Sequence, residues 1–265
     1  MSLVDSARST ISKARQRLHP NRIVFHHVPK CGGTSVGRAI RKRFLLSQAT
    51  VLPEATYRAE EMLDPSASAA ELLARAEELR ERMFLYHLAA GVDCVSAHVR
   101  FSDAGWAAYG EKAKFVTILR EPVARFISHY RYSHGRPGAY GHIPEDFETF
   151  LNGPAARQFG AFYTYFFSGL PSTADMTTGE ALDRAKANLA KFHVVGFLDD
   201  TPGFESAIKA QVGVRIRIGH ENKARAPKPS GDREFADLID EITQPDQAFF
   251  AFARKLQGPR KLQGQ

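Results

Sequence analysis

One short segment, HVPKCGGTS at positions 27–35, combines the residue types that bind phosphate groups. Its two glycines let the backbone come close to an anion, and Lys30 supplies a full positive charge. A helical pattern follows, and the free N–H groups and dipole at a helix start favour negative charge. We therefore predict an anion-binding loop made by Pro29, Lys30, Cys31, Gly32, Gly33, Thr34 and Ser35.

The order of these residues distinguishes the segment from a Walker A loop. That loop has the pattern G-x-x-x-x-G-K-[ST], in which the lysine follows the glycines. Here Lys30 precedes Gly32 and Gly33, and no evident Mg²⁺-binding acidic residue follows a strand. Both observations count against an ATP-dependent kinase on a similar fold, which is kept as the alternative enzyme.

The strand–loop–helix segment resembles the 5′-phosphosulfate-binding loop of sulfotransferases that use 3′-phosphoadenosine 5′-phosphosulfate (PAPS). Within that family, HVPKCGGTS is similar to the loop of the carbohydrate and membrane-associated enzymes, of the heparan sulfate 2-O-sulfotransferase type. The resemblance implies transfer of a sulfuryl group from PAPS to a hydroxyl of a carbohydrate or glycoconjugate. The other product would be adenosine 3′,5′-bisphosphate (PAP).

A second anion site is predicted within ILREPVARFISHYRY at 118–132. In the family, a strand ending in arginine and a serine eight residues later hold the 3′-phosphate of the nucleotide. Arg120 and Ser128 occupy those positions. The chemistry agrees, because a guanidinium binds phosphate through two parallel hydrogen bonds. The alternative for this segment is a capped helix with a structural arginine–carboxylate pair.

Sulfuryl transfer needs a base for the acceptor proton and a cation for the leaving group. In related carbohydrate sulfotransferases a histidine or glutamate after an equivalent strand is the base, and His98 lies at the end of the predicted strand CVSAHV. A histidine with its ordinary pKa near 6.5 suits this role at neutral pH. His27, beside the loop, is the alternative base, and Lys30 is assigned to the leaving group.

The resemblance extends over about residues 22–255 and is weakest at 135–175. A later strand with a Val-Gly pair matches the family's core. The segment HENKARAPKP resembles the basic loop that closes over the nucleotide, and it adds Asn222 and Lys223 as cofactor-binding candidates.

Strand-like apolar runs alternate with amphipathic helical patterns along the chain. This alternation predicts an α/β fold in which helices flank a central parallel sheet, similar to the P-loop nucleotide-binding folds. We expect residues 47–68 to be irregular. We expect a strand to begin at residue 214, and we expect the last helix to break at Pro245. Predicted strands are 22–28, 93–99, 114–120 and 193–200; predicted helices are 34–46, 69–90, 121–134, 181–192 and 204–213.

Composition excludes several classes of protein. The 265 residues are 43% hydrophobic and 25% charged, typical of a globular domain, with no apolar run long enough for a membrane span. We expect a basic segment at 1–21, a sulfotransferase domain at 22–256 and a polar tail at 257–265. The start of the chain has no signal-peptide pattern, and two cysteines make no disulfide framework, so a cytoplasmic location is expected.

The net charge of +7 suggests an anionic partner. A hydroxyl-bearing carbohydrate acceptor, which could be acidic, is expected, and the aromatic and basic loop 131–142 is a candidate for binding it. Cys94 and His98 have a spacing that zinc could use, but no second pair accompanies them, so no metal is expected. A module that binds acidic glycans or nucleic acid without catalysis is the alternative outside the enzymes, although nucleic acid is not expected as a partner.

Overall fold

A central sheet of five parallel strands organises the chain, as seen in a computed structural model that describes residues 21–137, 140–219 and 235–256. The strand order is β2-β3-β1-β4-β5, and helices pack against the sheet, so the predicted α/β class is confirmed. The strands are β1 Arg22–His26, β2 Gln48–Val51, β3 Cys94–Ala97, β4 Ala113–Leu119 and β5 Val194–Phe197.

Helices follow most strands, as crossover connections between parallel strands require. Proline occupies the first turn of several of them, where its missing N–H costs nothing. The helices in the described residues are α1 Gly33–Arg41, α2 Pro53–Leu63, α3 Ala69–Ala89, α4 Asp103–Tyr109, α5 Pro122–His134, α6 Phe147–Asn152, α7 Pro154–Gly160, α8 Phe162–Phe167, α9 Gly179–Ala190, α10 Thr201–Val212 and α11 Ala236–Leu256.

The three central strands are buried on both faces, which explains why they appear in the sequence as continuous apolar runs. Phe25 of β1 lies opposite Ser96 of β3 and Val116 of β4, and all three are buried. Because the strands are parallel, the loops after β1, β3 and β4 all leave from the same edge of the sheet. This is the edge at which open α/β sheets bind their ligands.

The expectation that residues 47–68 are irregular is wrong. Gln48–Val51 pairs with β3 as an edge strand, and Pro53 starts an eleven-residue helix. The strand was not visible in the sequence because only Val51 of its four residues is buried. Its place in the sheet depends on pairing with β3 rather than on its own apolar pattern.

The strand expected from residue 214 does not form within the described residues. Val214, Ile216 and Ile218 alternate with exposed arginines and are buried against the core, which accounts for the strand-like pattern. The segment nevertheless has no strand partner there, and the N–H of Ile218 donates to the Glu205 carboxylate at 2.6 Å instead.

The predicted break at Pro245 is also wrong, because α11 continues through it. A proline inside a helix removes one backbone hydrogen bond and costs on the order of 3 kcal/mol. The neighbouring residues Thr243, Asp246 and Phe249 are completely buried, and their packing on the core holds the helix together on both sides of the proline.

Candidate functional site

The loop after β1 makes a tight turn with an unusual backbone conformation. Lys30 and Gly32 both adopt left-handed conformations, with φ of 64° and 72°. A Cβ at Gly32 would lie 2.5 Å from Leu198, and one at Gly33 would overlap the His27 ring. The loop therefore turns tightly into α1, whose first turn has neither a side-chain cap nor an acidic residue. Its free N–H groups suit an anion.

Cys31 is part of this loop, but its side chain points away from the cleft. The thiol is fully buried, lies 3.5 Å from the Tyr163 hydroxyl, and has its pKa raised to about 11 by burial. It is therefore a neutral packing group, and only its backbone could take part in binding an anion. The other six predicted loop residues line the cleft: Pro29, Lys30, Gly32, Gly33, Thr34 and Ser35.

Arg120 and Ser128 lie at the edge of the same cleft, after β4 and on α5. Arg120 reaches the first loop, because its Nη1 donates to the carbonyl oxygen of Lys30 at 3.4 Å. The residue between strand and helix, Glu121, accepts the N–H groups of Val123 and Ala124 and so caps α5. The two predicted anion sites therefore adjoin, as neighbouring strands of the sheet require.

Lys30 contacts an aromatic residue that the sequence did not single out individually. Its Nζ lies 3.9 Å from the centre of the Tyr132 ring, and Tyr132 follows Ser128 by one helical turn. Burial, with further contributions from Arg120 and Arg136, lowers the pKa of Lys30. The ammonium group is thus partly desolvated, and no carboxylate in the described part of the chain forms an ion pair with it.

His98 and His27 lie side by side, with ring centres 3.7 Å apart. Burial, reinforced by the charge of Arg80, lowers the pKa of His98 to about 3, and Nδ1 of His98 is buried with no hydrogen-bond partner. Burial also holds the pKa of His27 well below its ordinary value. Both imidazoles are therefore neutral, and His27 additionally packs over Gly33.

These groups open into one large cleft of about 2290 Å³. Its far wall is built by α2 and α3, and part of the loop at 131–142 lines it. Tyr140 of that loop packs against Tyr57 of α2, with ring centres 4.8 Å apart and ring planes inclined by 49°. The loop expected to bind an acceptor is therefore at the cleft. The aromatic residues Tyr163, Phe166 and Phe167 of α8 are buried in the core.

A buried ion pair joins α5 to α11 behind the cleft. Arg125 and Asp246 are completely buried, and Nη2 of Arg125 lies 3.2 Å from Oδ2 of Asp246. The other carboxylate oxygen accepts the N–H of Tyr163 at 2.7 Å, and burial raises the pKa of Asp246 to about 7. The alternative stated for the segment 118–132, a capped helix with a structural arginine–carboxylate pair, is thus present at Glu121 and Arg125. The partner Asp246 was not predicted, because it is far from Arg125 in the chain.

Some predicted features fall outside what the structure describes. Asn222 and Lys223 lie outside the described residues.

Within the described ranges, no group of three or more His, Cys, Asp or Glu side chains is arranged to hold a metal ion. None of the helices there combines the length and apolar character needed to cross a bilayer.

Comparisons with known proteins give little further definition. No family model matches the chain, and no curated protein matches it. The crystal structure of mouse sulfotransferase SULT7A1 complexed with PAP aligns with a TM-score of 0.43 and 12% identity over 92% of each chain. The PezAT chromosomal toxin–antitoxin system of the human pathogen Streptococcus pneumoniae aligns with a TM-score of 0.37 and 12% identity, covering 94% of this chain and 93% of that one.

Proposed function

We propose that this chain is a sulfotransferase that moves a sulfuryl group from PAPS to a hydroxyl group. The observation that carries the proposal is the meeting of two anion-binding loops beside a neutral histidine. The guanidinium of Arg120 contacts the backbone of Lys30 at 3.4 Å, and His98 lies at the end of the neighbouring strand, against the same cleft. A nucleotide with phosphates at both its 5′ and 3′ positions matches this pair of sites.

The residues present fit such a nucleotide. The uncapped first turn of α1, with Lys30, Thr34 and Ser35, would hold the 5′-phosphosulfate. Arg120 and Ser128 would hold the 3′-phosphate. The close approach of the backbone at Gly32 and Gly33, where a Cβ would collide with Leu198 or His27, is the cradle such a ligand needs. The bound nucleotide supplies an activated sulfuryl group at its 5′ end.

His98 is the proposed general base. Its low pKa leaves the imidazole unprotonated near pH 7, as a base must be, but the expectation of an ordinary pKa near 6.5 is wrong, and a pKa of about 3 makes the free group a weaker base. The acceptor oxygen–sulfur bond forms as the bond from sulfur to the phosphate oxygen breaks, and the hydroxyl proton passes to His98. Lys30 donates a hydrogen bond to the departing phosphate oxygen, where negative charge develops. His27 supports the loop through its packing over Gly33, which favours His98 as the base.

The acceptor is proposed to be a carbohydrate or glycoconjugate. The cleft offers both aromatic rings, such as Tyr140 and Tyr57, and basic groups, which suit the faces and polar edges of sugars. Both cysteines are buried free thiols, in keeping with the proposed reducing, cytoplasmic location.

Thermal unfolding with four ligands tests the donor site. The Tm of the purified protein is measured alone and in the presence of PAP, adenosine 5′-monophosphate, ATP–Mg²⁺ or GTP–Mg²⁺. PAP at about 100 times Kd is expected to raise Tm by about 5–10 °C. The monophosphate, which lacks the 3′-phosphate, should raise it less, and Arg120→Ala should remove the difference. A rise with ATP–Mg²⁺ alone would assign the chain to the kinases, and no rise with any ligand would contradict the proposal.

A further inference from the structure

Arg80 is a buried cation on the far wall of the cleft. It belongs to α3, it is only 7% exposed, and it lines the cleft that also contains His98. Its Nε donates to the Thr56 hydroxyl at 3.0 Å, and its Nη2 donates to the Tyr140 hydroxyl at 2.9 Å. Both partners are neutral. These two bonds fix the plane of the guanidinium between α2 and the loop at 140.

Buried arginines are normally paired with a carboxylate, because a desolvated charge is costly. Two neighbouring arginines of the cleft follow this rule: Arg100 lies 3.7 Å from Glu77, and Arg136 lies 3.9 Å from Glu54. Arg80 is more buried than either of them, yet within the described ranges no carboxylate comes within 4.0 Å of it. Glu77, one turn earlier on α3, pairs with Arg100 instead.

The guanidinium is therefore oriented and partly hydrogen-bonded, and Glu77, the carboxylate that acts on its charge from beyond 4.0 Å, is shared with the closer Arg100. Hydroxyl partners at Nε and Nη2 leave Nη1 without a partner in the described part of the chain. A planar fork held in this way is suited to a carboxylate, which it binds more strongly than it binds a neutral oxygen. The influence of Arg80 on His98 places this charge within electrostatic reach of the proposed base.

We propose that Arg80 binds a carboxylate of the acceptor, so that the preferred acceptors carry a carboxylate close to the hydroxyl that is sulfated. This inference rests on the proposed sulfuryl transfer and adds the charge of its acceptor. The carboxylate would complete the ion pair that Arg80 lacks. Arg80 would then select acceptors rather than contribute to binding of the nucleotide.

Matched pairs of acceptors that differ in one carboxylate test this inference. One pair is p-nitrophenyl β-D-glucuronide against p-nitrophenyl β-D-xyloside, and a second is 2-hydroxyphenylacetate against 2-methylphenol, in which the carboxylate lies close to the hydroxyl. For each pair, kcat/KM with PAPS is measured for the full chain, for Arg80→Gln and Arg80→Lys, and for the control Arg58→Gln. Arg58 is an exposed arginine at the cleft rim that is paired with Glu54 at 2.8 Å.

The unaltered chain should prefer the acidic member of at least one pair by about tenfold to a hundredfold, the range of a charge-assisted hydrogen bond. Arg80→Gln should reduce this ratio to near one, Arg80→Lys should retain part of it, and Arg58→Gln should leave it unchanged. A purely structural Arg80 would lower both rates in a pair and leave the ratio intact. No preference in the unaltered chain, or a ratio that survives Arg80→Gln, overturns the inference.

Binding of PAP, measured by calorimetry on the same proteins, separates this inference from the proposed function. PAP should bind the unaltered chain and Arg80→Gln with similar affinity. Absence of PAP binding to the unaltered chain would overturn the donor site itself. If PAP binds but neither pair is sulfated, affinities of the four acceptors for the PAP-loaded protein are compared, and equal affinities within both pairs overturn the role of Arg80.

Discussion

The hydroxyl of Tyr163 accepts the backbone N–H of Arg120 at 2.9 Å and also donates to the Arg120 carbonyl oxygen. The same hydroxyl lies 3.5 Å from the Cys31 thiol in the loop after β1. One fully buried side chain from α8 therefore connects the loops after β1 and β4. The relative position of the two proposed phosphate sites depends on this hydroxyl.

Replacing Tyr163 by Phe should therefore weaken nucleotide binding as well as stability. The ring keeps its packing against Phe249, but the Arg120 backbone groups lose their partner, which costs about 1–3 kcal/mol. We expect the affinity for PAP to fall about tenfold as Arg120 shifts. Calorimetric titration with PAP measures this effect, and urea unfolding measures the loss of stability.

Tyr130→Phe is the matched control for this change. The Tyr130 hydroxyl donates to the Glu145 carbonyl oxygen at 2.9 Å and touches neither loop. Its removal should lower stability by a similar amount while leaving the affinity for PAP unchanged. Equal losses of affinity in both variants would show that Tyr163 has no special part in aligning the two sites.

Gly33→Ala should disturb the site through the two histidines. A Cβ at position 33 would overlap the His27 ring, and His27 lies against His98 with ring centres 3.7 Å apart. Moving the ring should cost about 1–3 kcal/mol of stability and displace the proposed base. Gly179→Ala is the control, because a Cβ there meets no atom within 4 Å. Urea unfolding and sulfuryl-transfer assays should show a loss of stability and of activity in Gly33→Ala and no loss in Gly179→Ala.

Lys30→Ala should affect turnover far more than folding. The ammonium contacts the Tyr132 ring and has its pKa lowered mainly by burial, so its removal costs the fold little. Loss of one donor to developing negative charge lowers kcat by about a hundredfold to a thousandfold. Lys112→Ala, which removes an exposed lysine, should leave kcat unchanged. Full activity in Lys30→Ala would contradict the assigned role of this lysine.

Local patterns in the sequence were sufficient to locate the two strand–loop–helix segments of the candidate site. The segment 27–35 is contiguous, and in the segment Arg120-Glu121-Pro122 the glutamate caps α5 and the proline begins it. The edge strand β2 was missed because its four residues carry little apolar character. Its formation depends on pairing with β3, which no local pattern reports.

The groups that support the site could not be predicted, because they meet only in the folded chain. Tyr163 lies 43 residues from Arg120 in sequence, in a segment where it is one of several aromatic residues. Arg125 and Asp246 are on α5 and α11, and each is an ordinary polar position in its own helical pattern. Arg80 likewise fits an amphipathic helix, and its burial depends on α2 and on Tyr140.

Acid should destabilise the fold through its buried histidines. Burial lowers the pKa of His26 to about 3, and its ring lies among Phe166, Phe167 and Phe192 with Nε2 unpartnered. The unfolded chain, with an ordinary histidine pKa of 6.5, binds protons that the folded chain does not. The free energy of unfolding should therefore fall as pH drops from about 6.5 towards 3.

His26→Gln isolates one residue's share of this effect. Each such histidine should lower the free energy of unfolding by about 2 kcal/mol between pH 6.5 and about pH 5, because one pKa unit corresponds to about 1.4 kcal/mol. Urea unfolding at about pH 7, 6 and 5 should give a shallower dependence for His26→Gln than for the unaltered chain, since a glutamine cannot take up the proton. His134→Gln, which replaces an exposed histidine at the end of α5, should leave the dependence unchanged. An equal slope in all three proteins would mean that the folded chain admits a proton at His26, contrary to its burial among three phenylalanine rings.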